Sequence, residues 1–134
     1  MRYKIMAWMD PKSGQCEFTQ KYGKLGEAGQ AKCDERLRYL RDQPPSGWHD
    51  PHAKKLDSSR DHDCKDIYEV RFKANGIQHR PMGYFGPAAD EFTIVIWATH
   101  KGSQYDPSNF CERAKRRWDE HRAGGCTTQE IEID

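Results

Sequence analysis

The strongest structural signal lies in residues 67–85, which read IYEVRFKANGIQHRPMGYF. Up to residue 74 apolar and charged side chains alternate, which is typical of a β-strand with one buried face. Asn75 and Gly76 follow, and both tolerate the positive φ angles of a type I′ turn, so the stretch predicts a β-hairpin. The predicted core face of the first strand consists of Tyr68, Val70, Phe72 and Ala74, and the predicted solvent face of Glu69, Arg71 and Lys73.

The return strand of this hairpin contains Pro81, which has no N–H to donate to a partner opposite Val70. The sequence therefore predicts either a bulge between Pro81 and Gly83 or an edge strand. Residues 92–98, which read FTIVIWA, are almost continuously apolar. A strand with one wet face would alternate, so this run predicts a central strand that is covered on both faces.

The flanking segments predict shorter elements. Residues 4–9 indicate a first strand, residues 10–26 a loop with a short strand near Phe18, and residues 27–43 a helix ended by Pro44-Pro45. Residues 48–65 form a charged connection. Asp106 is a predicted N-cap with Pro107 in the first turn of a basic helix, which Gly124-Gly125 ends. The tail 127–134 predicts either an edge strand or a disordered end.

These elements predict an α+β fold: a single domain, residues 1–134, with an antiparallel sheet of three to five strands and helices packed on one face. Residues 1–26 would add an N-terminal strand and loop, and residues 124–134 a tail. The expected core consists of residues that each lie on the apolar face of their own element: Leu37, Leu40, Tyr68, Val70, Phe72, Ile94, Ile96, Phe110 and Trp118.

The length, charge and apolar content of the chain limit the classes of protein to which it can belong. The chain has 134 residues and a mass of 15.6 kDa, enough for one hydrophobic core. Its 22 Lys+Arg and 21 Asp+Glu give a net charge of +1, so any affinity for nucleic acid requires local clusters of cations. The mean hydropathy of −1.08 indicates a highly charged surface. No apolar run reaches the ~18 residues of a membrane span, and residues 5–9 are too few for a signal peptide. We therefore expect no membrane contact. The five cysteines are odd in number, lie far apart and form no CxxC motif, which predicts reduced thiols in a cytoplasmic protein.

One segment has the residue types of a metal site. His49, His52, His62 and Cys64 are all potential zinc ligands, but they lie in a polar, irregular stretch without an apolar frame. We therefore expect solvated loop histidines, with no metal and no cofactor.

The predicted hairpin brings two cations together. A two-residue turn places Phe72 opposite His79 and Arg71 opposite Arg80, and like charges in facing positions cost several tenths of a kcal/mol. Two interpretations stay open. Either an anionic ligand lies between the arginines, or Glu69 neutralises one of them and solvent surrounds the other.

His100 and Lys101 follow the buried strand, at a position where side chains are held rigidly yet reach solvent. Histidine transfers protons near neutral pH, and lysine stabilises a developing negative charge. A histidine at a strand end is also commonly structural, so this position alone leaves the choice open.

In order, the chain has a helical N-terminal part, a YEVRF strand at 68–72, Asn75-Gly76, a return strand bearing Arg80, an apolar strand ending in His100-Lys101, a proline and a basic helix. This order resembles the RelE/ParE toxin superfamily, most closely its HigB-type, phage-derived branch, over about residues 35–122. The family's two strand arginines correspond to Arg71 and Arg80, and its paired lysines to His100 and Lys101. His79 stands where the family often has tyrosine, His100 replaces the first lysine, and the first forty residues are longer than usual.

The resemblance implies a toxin of a type II toxin–antitoxin system that cleaves mRNA on the ribosome without a metal. The partners would be the ribosome, mRNA and a cognate antitoxin protein. Arg71 and Arg80 would clamp the scissile phosphate, His100 would transfer protons and Lys101 would assist electrostatically. The expected RNA-binding residues are Lys54, Lys55, Tyr84, Tyr105, Arg113, Arg116 and Arg117.

Two alternatives belong to another class of function. ParE-like relatives share the fold and inhibit DNA gyrase by binding, and a phage-derived accessory protein would keep the fold without catalysis. The near-zero net charge favours these non-catalytic proteins, because ribosome-directed nucleases are usually more basic.

Overall fold

A computed structural model describes residues 2–59 and 61–133. Met1, Arg60 and Asp134, which fall in the predicted N-terminal extension, the charged connection and the tail, lie outside the described residues. Short 3₁₀ turns occupy Pro45–Gly47 and His62–Cys64. The main elements are β1 (Lys4–Trp8), α1 (Glu17–Gly23), α2 (Gly26–Arg41), β2 (Ala53–Lys55), β3 (Tyr68–Val70), β4 (Phe72–Ala74), β5 (Ile77–Phe85), β6 (Glu91–Lys101), β7 (Gln104–Asp106), α3 (Phe110–Arg122) and β8 (Thr128–Glu130).

The described strands form one mixed, eight-stranded sheet in the order β2-β3-β5-β6-β1-β8, with β4 also on β5 and β7 also on β6. Strand β1 is parallel to β6, and the other pairs are antiparallel. The sheet is thus larger than the three to five antiparallel strands predicted, because three-residue strands extend it at both edges. The tail supplies one of these as β8.

Helices cover both faces of the sheet, not one as predicted. Along β6, Phe92, Ile94 and Trp97 enter a core with α1 and α2, while Val95, Ile96 and Ala98 enter a second core with α3. Simple alternation is interrupted at Val95, because the register shift opposite Met82 and Gly83 leaves one extra residue in β6 between Ile94 and Ile96. The predicted core residues are all buried except Tyr68, which is half-buried, and they divide between these two cores. The sheet is therefore the middle of three layers, and any functional site on it lies at an edge or an end.

The hairpin signal is confirmed. Asn75 and Gly76 have φ angles of 54° and 76°, and Phe72 lies opposite His79. The expected single first strand is divided at Arg71, whose N–H donates to the carbonyl of His52 at 2.9 Å. The alternative of an edge strand is wrong, since β5 lies between β3 and β6. The bulge is confirmed between Met82 and Gly83.

Two helix predictions are wrong. Residues 17–23 form α1 instead of a loop with a strand, and Phe18 is buried against Trp97 with their ring centroids 5.2 Å apart. The last helix begins at Phe110, with Asn109 as its N-cap residue, because Asp106 pairs with Thr99 as the end of β7. The end of this helix before Gly124 agrees with the prediction.

The expectation of reduced thiols is corrected for one pair. Cys64 and Cys111 form a disulfide with their Cα atoms 4.9 Å apart, and Cys16, Cys33 and Cys126 are free thiols. The two half-cystines are 47 residues apart in sequence and meet because α3 packs over the turn at 62–64. No helix in the described part of the chain is long and apolar enough to span a membrane.

A buried histidine predicts how stability changes with pH. Trp97 Nε1 donates to His79 Nδ1 at 3.0 Å, so the ring is neutral with its proton on Nε2. Burial, together with the charges of Arg80 and Lys21, lowers the pKa of His79. The folded chain therefore binds this proton more weakly than the unfolded chain, so the free energy of unfolding falls as the pH drops below about 6.5. Urea unfolding at pH 7.5 and 5.5 should show a smaller decline for His79→Phe than for the wild type. Equal declines would contradict this role.

Candidate functional site

A buried carboxylate lies at the centre of the predicted arginine pair. Glu69 is fully buried, although alternation predicts it on the solvent face. Its Oε2 accepts a hydrogen bond from Arg71 Nε at 2.6 Å and lies 3.7 Å from Arg80 Nε. Its Oε1 accepts from the Tyr105 hydroxyl at 2.5 Å. Glu69 thus forms ion pairs with both arginines, whereas the second of the two interpretations above had it neutralise one arginine and left the other to solvent.

The two arginines differ in their surroundings. Arg71 also pairs with Asp50, and although burial lowers the pKa of Arg71, the hydrogen bond and charge of Glu69 raise it above its ordinary value. Arg80 is only 7% exposed, and burial lowers its pKa in spite of Glu69. The Arg80 guanidinium also donates to the His79 carbonyl at 2.9 Å and to Gln78 Oε1 at 3.2 Å. Both guanidinium groups are therefore held in fixed orientations.

A groove of about 340 Å³ opens beside this cluster, where β3 passes into β4. Arg36 of α2 reaches it and donates from Nη1 to the Arg71 carbonyl at 2.6 Å. Cations outnumber carboxylates around the groove, even with Glu69 beneath it, so its charge favours an anion. The lining residues are Arg36, Asp50, Pro51, Arg71, Phe72, Lys73, Gln78 and Arg80.

His100 is brought to the same face of the sheet. It lies opposite Gln78 in the β5–β6 pair, and facing residues of a pair share one face. Its ring stacks on Tyr105 with centroids 4.4 Å apart, and Tyr105 in turn binds Glu69. His100, Tyr105, Glu69 and the two arginines therefore form one connected cluster.

Lys101 does not join this cluster. It follows His100 in β6, so strand alternation directs it to the opposite face, and it is exposed. The four expected catalytic residues are therefore not all brought together: Lys101 lies apart from Arg71, Arg80 and His100. The sheet face that carries His100 is also covered by a helix, since α3 packs on it.

The predicted RNA-binding residues differ in how far their side chains are exposed and in what they contact. Tyr84 is 5% exposed and its ring stacks on Trp118, so it presents no free face to a base. Arg117 is tied to Glu17 at 3.0 Å and lies over the Trp8 ring, which indicates a structural role. Tyr105 is half-buried between His100 and Phe110. The remaining cations, which are exposed or half-buried, are Lys54, Lys55, Arg113 and Arg116.

The four potential zinc ligands do not converge. Cys64 is in the disulfide, and the His52 ring lies 4.4 Å from that of Tyr39. His49 contacts the Asp50 carbonyl. Within the described residues, the potential ligands that do cluster are Asp61, His62 and Asp63, in an exposed turn.

Comparison with known proteins adds no relative. Neither family models, nor curated proteins, nor solved structures match this chain. The residues and their geometry are therefore the basis for a functional assignment.

Two residues of this site, Glu69 of the cluster and Arg36 of the groove, were not predicted in their observed roles. Glu69 occupies a position that strand alternation assigns to solvent. Arg36 is one of several arginines on α2, and the sequence does not distinguish it from the others. The available signal for Glu69 was its place between two facing cations, because a carboxylate there removes the repulsion that the hairpin register creates.

Proposed function

We propose that this protein is a toxin of a type II toxin–antitoxin system that cleaves mRNA on the ribosome, as in the RelE/ParE-like, HigB-type toxins that it resembles. The observation that carries the proposal is the cationic groove beside Arg71 and Arg80 with His100 on the same sheet face. The order of elements, with two helices after β1 and a basic helix after β6, also supports it.

The groove suits the chemistry of RNA cleavage by the adjacent 2′-hydroxyl. Guanidinium groups bind two phosphate oxygens at once, so Arg71 and Arg80 would orient the scissile phosphate and neutralise the phosphorane. His100 would take the proton of the 2′-hydroxyl as that oxygen bonds to phosphorus. The bond to the 5′-oxygen breaks, and that oxygen takes up a proton. Lys101, on the other face, would contribute only to binding the RNA backbone.

The proposal requires a cytoplasmic location, with the ribosome, mRNA and an antitoxin as partners. Thiols are kept reduced in that compartment, so the Cys64–Cys111 pair would there be open to reduction. Neither cysteine lines the groove, so the groove's own residues are the same in either redox state.

The test is expression in a bacterial host with mRNA cleavage mapped on ribosomes. His100→Ala and Arg80→Lys should lower the cleavage rate about 10²–10⁴-fold and relieve growth arrest, because one removes the proton carrier and the other the bidentate phosphate contact. Both variants should still fold and still bind ribosomes. Lys32→Ala, which removes an exposed cation of α2 outside the groove, is the matched control and should remain toxic.

One observation favours a second candidate, a binding protein without hydrolysis. Glu69 already accepts hydrogen bonds from Arg71 and Tyr105, so these groups have a structural role without any substrate. If the protein only binds its target, its expression should cause either growth arrest with gyrase-linked DNA damage or no growth arrest. Full toxicity of both His100→Ala and Arg80→Lys would also decide against the nuclease.

A further inference from the structure

A second cavity, of about 560 Å³, lies between α3 and the segment 62–66. It shares no lining residue with the arginine groove. Its volume is within the range of about 300–1,000 Å³ that is usual for small-molecule sites. The proposed cleavage reaction makes no use of it.

Aromatic side chains form one part of its wall. Tyr68 and Phe85 are half-buried, meet edge to face with centroids 5.0 Å apart, and present ring surface to the cavity. Tyr84 and Trp118 also line the cavity and stack on each other with centroids 4.7 Å apart. A planar ring in the cavity would therefore contact aromatic carbon on one side.

A polar group without a partner also belongs to this wall. Tyr84 is 5% exposed and lines the cavity, and its buried hydroxyl has no hydrogen-bond partner in the described part of the chain. A buried hydroxyl that lacks a partner is costly, so a polar ligand atom that reached it would be bound favourably.

Some of the charged side chains around the cavity form ion pairs with one another, and others do not. On the α3 side, Lys115 and Arg122 both pair with Asp119, at 2.7 and 3.2 Å. On the opposite side Lys55 lies 3.8 Å from Asp66 and Asp63 lies 3.7 Å from His62, whereas Lys65 makes no ion pair with any described residue. Around the whole cavity four Lys and Arg side chains outnumber three Asp side chains. An anionic group would therefore be attracted to Lys65, with Lys55 beside it in the same wall.

The disulfide joins the two walls. Cys64 lies within the segment that contributes His62, Asp63, Lys65 and Asp66, and Cys111 lies in the helix that contributes Lys115, Trp118, Asp119 and Arg122. In the oxidised protein this cross-link fixes the spacing of these walls before a ligand binds. A preformed site loses less entropy on binding than a flexible one.

We propose that this cavity binds a nucleotide, with the base against Tyr68 and Phe85, a polar edge of the base at the Tyr84 hydroxyl, and the phosphate at Lys55 and Lys65. The nucleotide is either free or part of a single RNA strand, since both offer a planar base joined to a phosphate. The site is independent of the cleavage reaction, so a binding measurement alone tests this proposal.

The test is calorimetric titration of the disulfide-bonded protein with adenosine 5′-monophosphate. Tyr84→Phe and Lys65→Ala should each weaken binding about tenfold, the scale of one lost hydrogen bond or ion pair to a charged ligand. Tyr84→Phe keeps the ring stack on Trp118 and removes no hydrogen bond to a described residue, so it should fold normally. Lys32→Ala, on α2 away from the cavity, should bind like the wild type.

Two further titrations show whether the bound nucleotide is free or part of an RNA strand, and whether the base is recognised. A four-nucleotide adenylate RNA that binds tenfold tighter than the monophosphate, with the same sensitivity to both variants, assigns the site to an RNA strand. Equal affinities assign it to a free nucleotide. The proposal is overturned if neither ligand binds, if ribose 5-phosphate binds as tightly as the monophosphate, or if Tyr84→Phe and Lys65→Ala both bind like Lys32→Ala.

Discussion

Replacing Glu69 with glutamine is expected to lower the free energy of unfolding by about 3–5 kcal/mol, the usual cost of removing one partner from a buried ion pair. The change keeps the size of the side chain and removes its charge. Arg71 keeps Asp50 as a partner, but Arg80 is 93% buried and faces no other carboxylate within ion-pair distance among the described residues. Most of the loss therefore arises from one buried, uncompensated guanidinium. Urea unfolding followed by tryptophan fluorescence measures it.

A double variant separates this electrostatic cause from a packing effect. Glu69→Gln combined with Arg80→Gln removes both charges, so part of the lost stability should return and the two changes should not be additive. Glu35→Gln is the matched control, because Glu35 is an exposed carboxylate on α2 whose loss should change stability by less than about 0.5 kcal/mol. A loss below about 1 kcal/mol for Glu69→Gln would show that the arginines do not depend on this carboxylate.

The cluster links stability to the proposed chemistry. A phosphate that enters the groove meets guanidinium groups whose orientation is already set by Glu69, so little side-chain entropy is lost on binding. The same carboxylate weakens the attraction for the phosphate, because it neutralises part of the positive charge. Glu69→Gln therefore has two opposite effects, lower stability and a more cationic groove.

Sequence reasoning succeeded where the signal is local. The hairpin at 75–76 follows from two adjacent residues that tolerate positive φ, and the buried strand at 92–98 follows from a continuous apolar run. Each depends on interactions within a few residues of the chain, which a single sequence contains in full.

The failures depend on contacts between distant segments. Glu69 is buried because Tyr105, 36 residues away, and both arginines enclose it, and alternation alone assigns such a position to solvent. Asp106 has the properties of an N-cap but pairs as a strand with β6 instead. The disulfide likewise required the packing of α3 over residues 62–64, which the spacing of the cysteines does not reveal. Lys101 is an exception, because no distant contact is needed to place it: adjacent residues of a strand face opposite sides, and this local rule already separates it from His100.

Gly83→Ala is expected to reduce stability by more than about 3 kcal/mol and to prevent accumulation of folded protein. Gly83 lies at the bulge, where the register of β5 on β6 shifts so that Met82 faces Ile96 and Gly83 faces Ile94. A Cβ atom on Gly83 would lie 1.9 Å from the carbonyl oxygen of Thr93 and 2.8 Å from the Cα of Ile94. These are backbone atoms of the central strand, so relief requires the two longest strands to separate. Gly23→Ala is the control, since a Cβ atom there meets nothing within 4 Å. The bulge makes glycine necessary at this position, and a Gly83→Ala protein with wild-type yield and unfolding midpoint would show that the register at 82–83 is wrong.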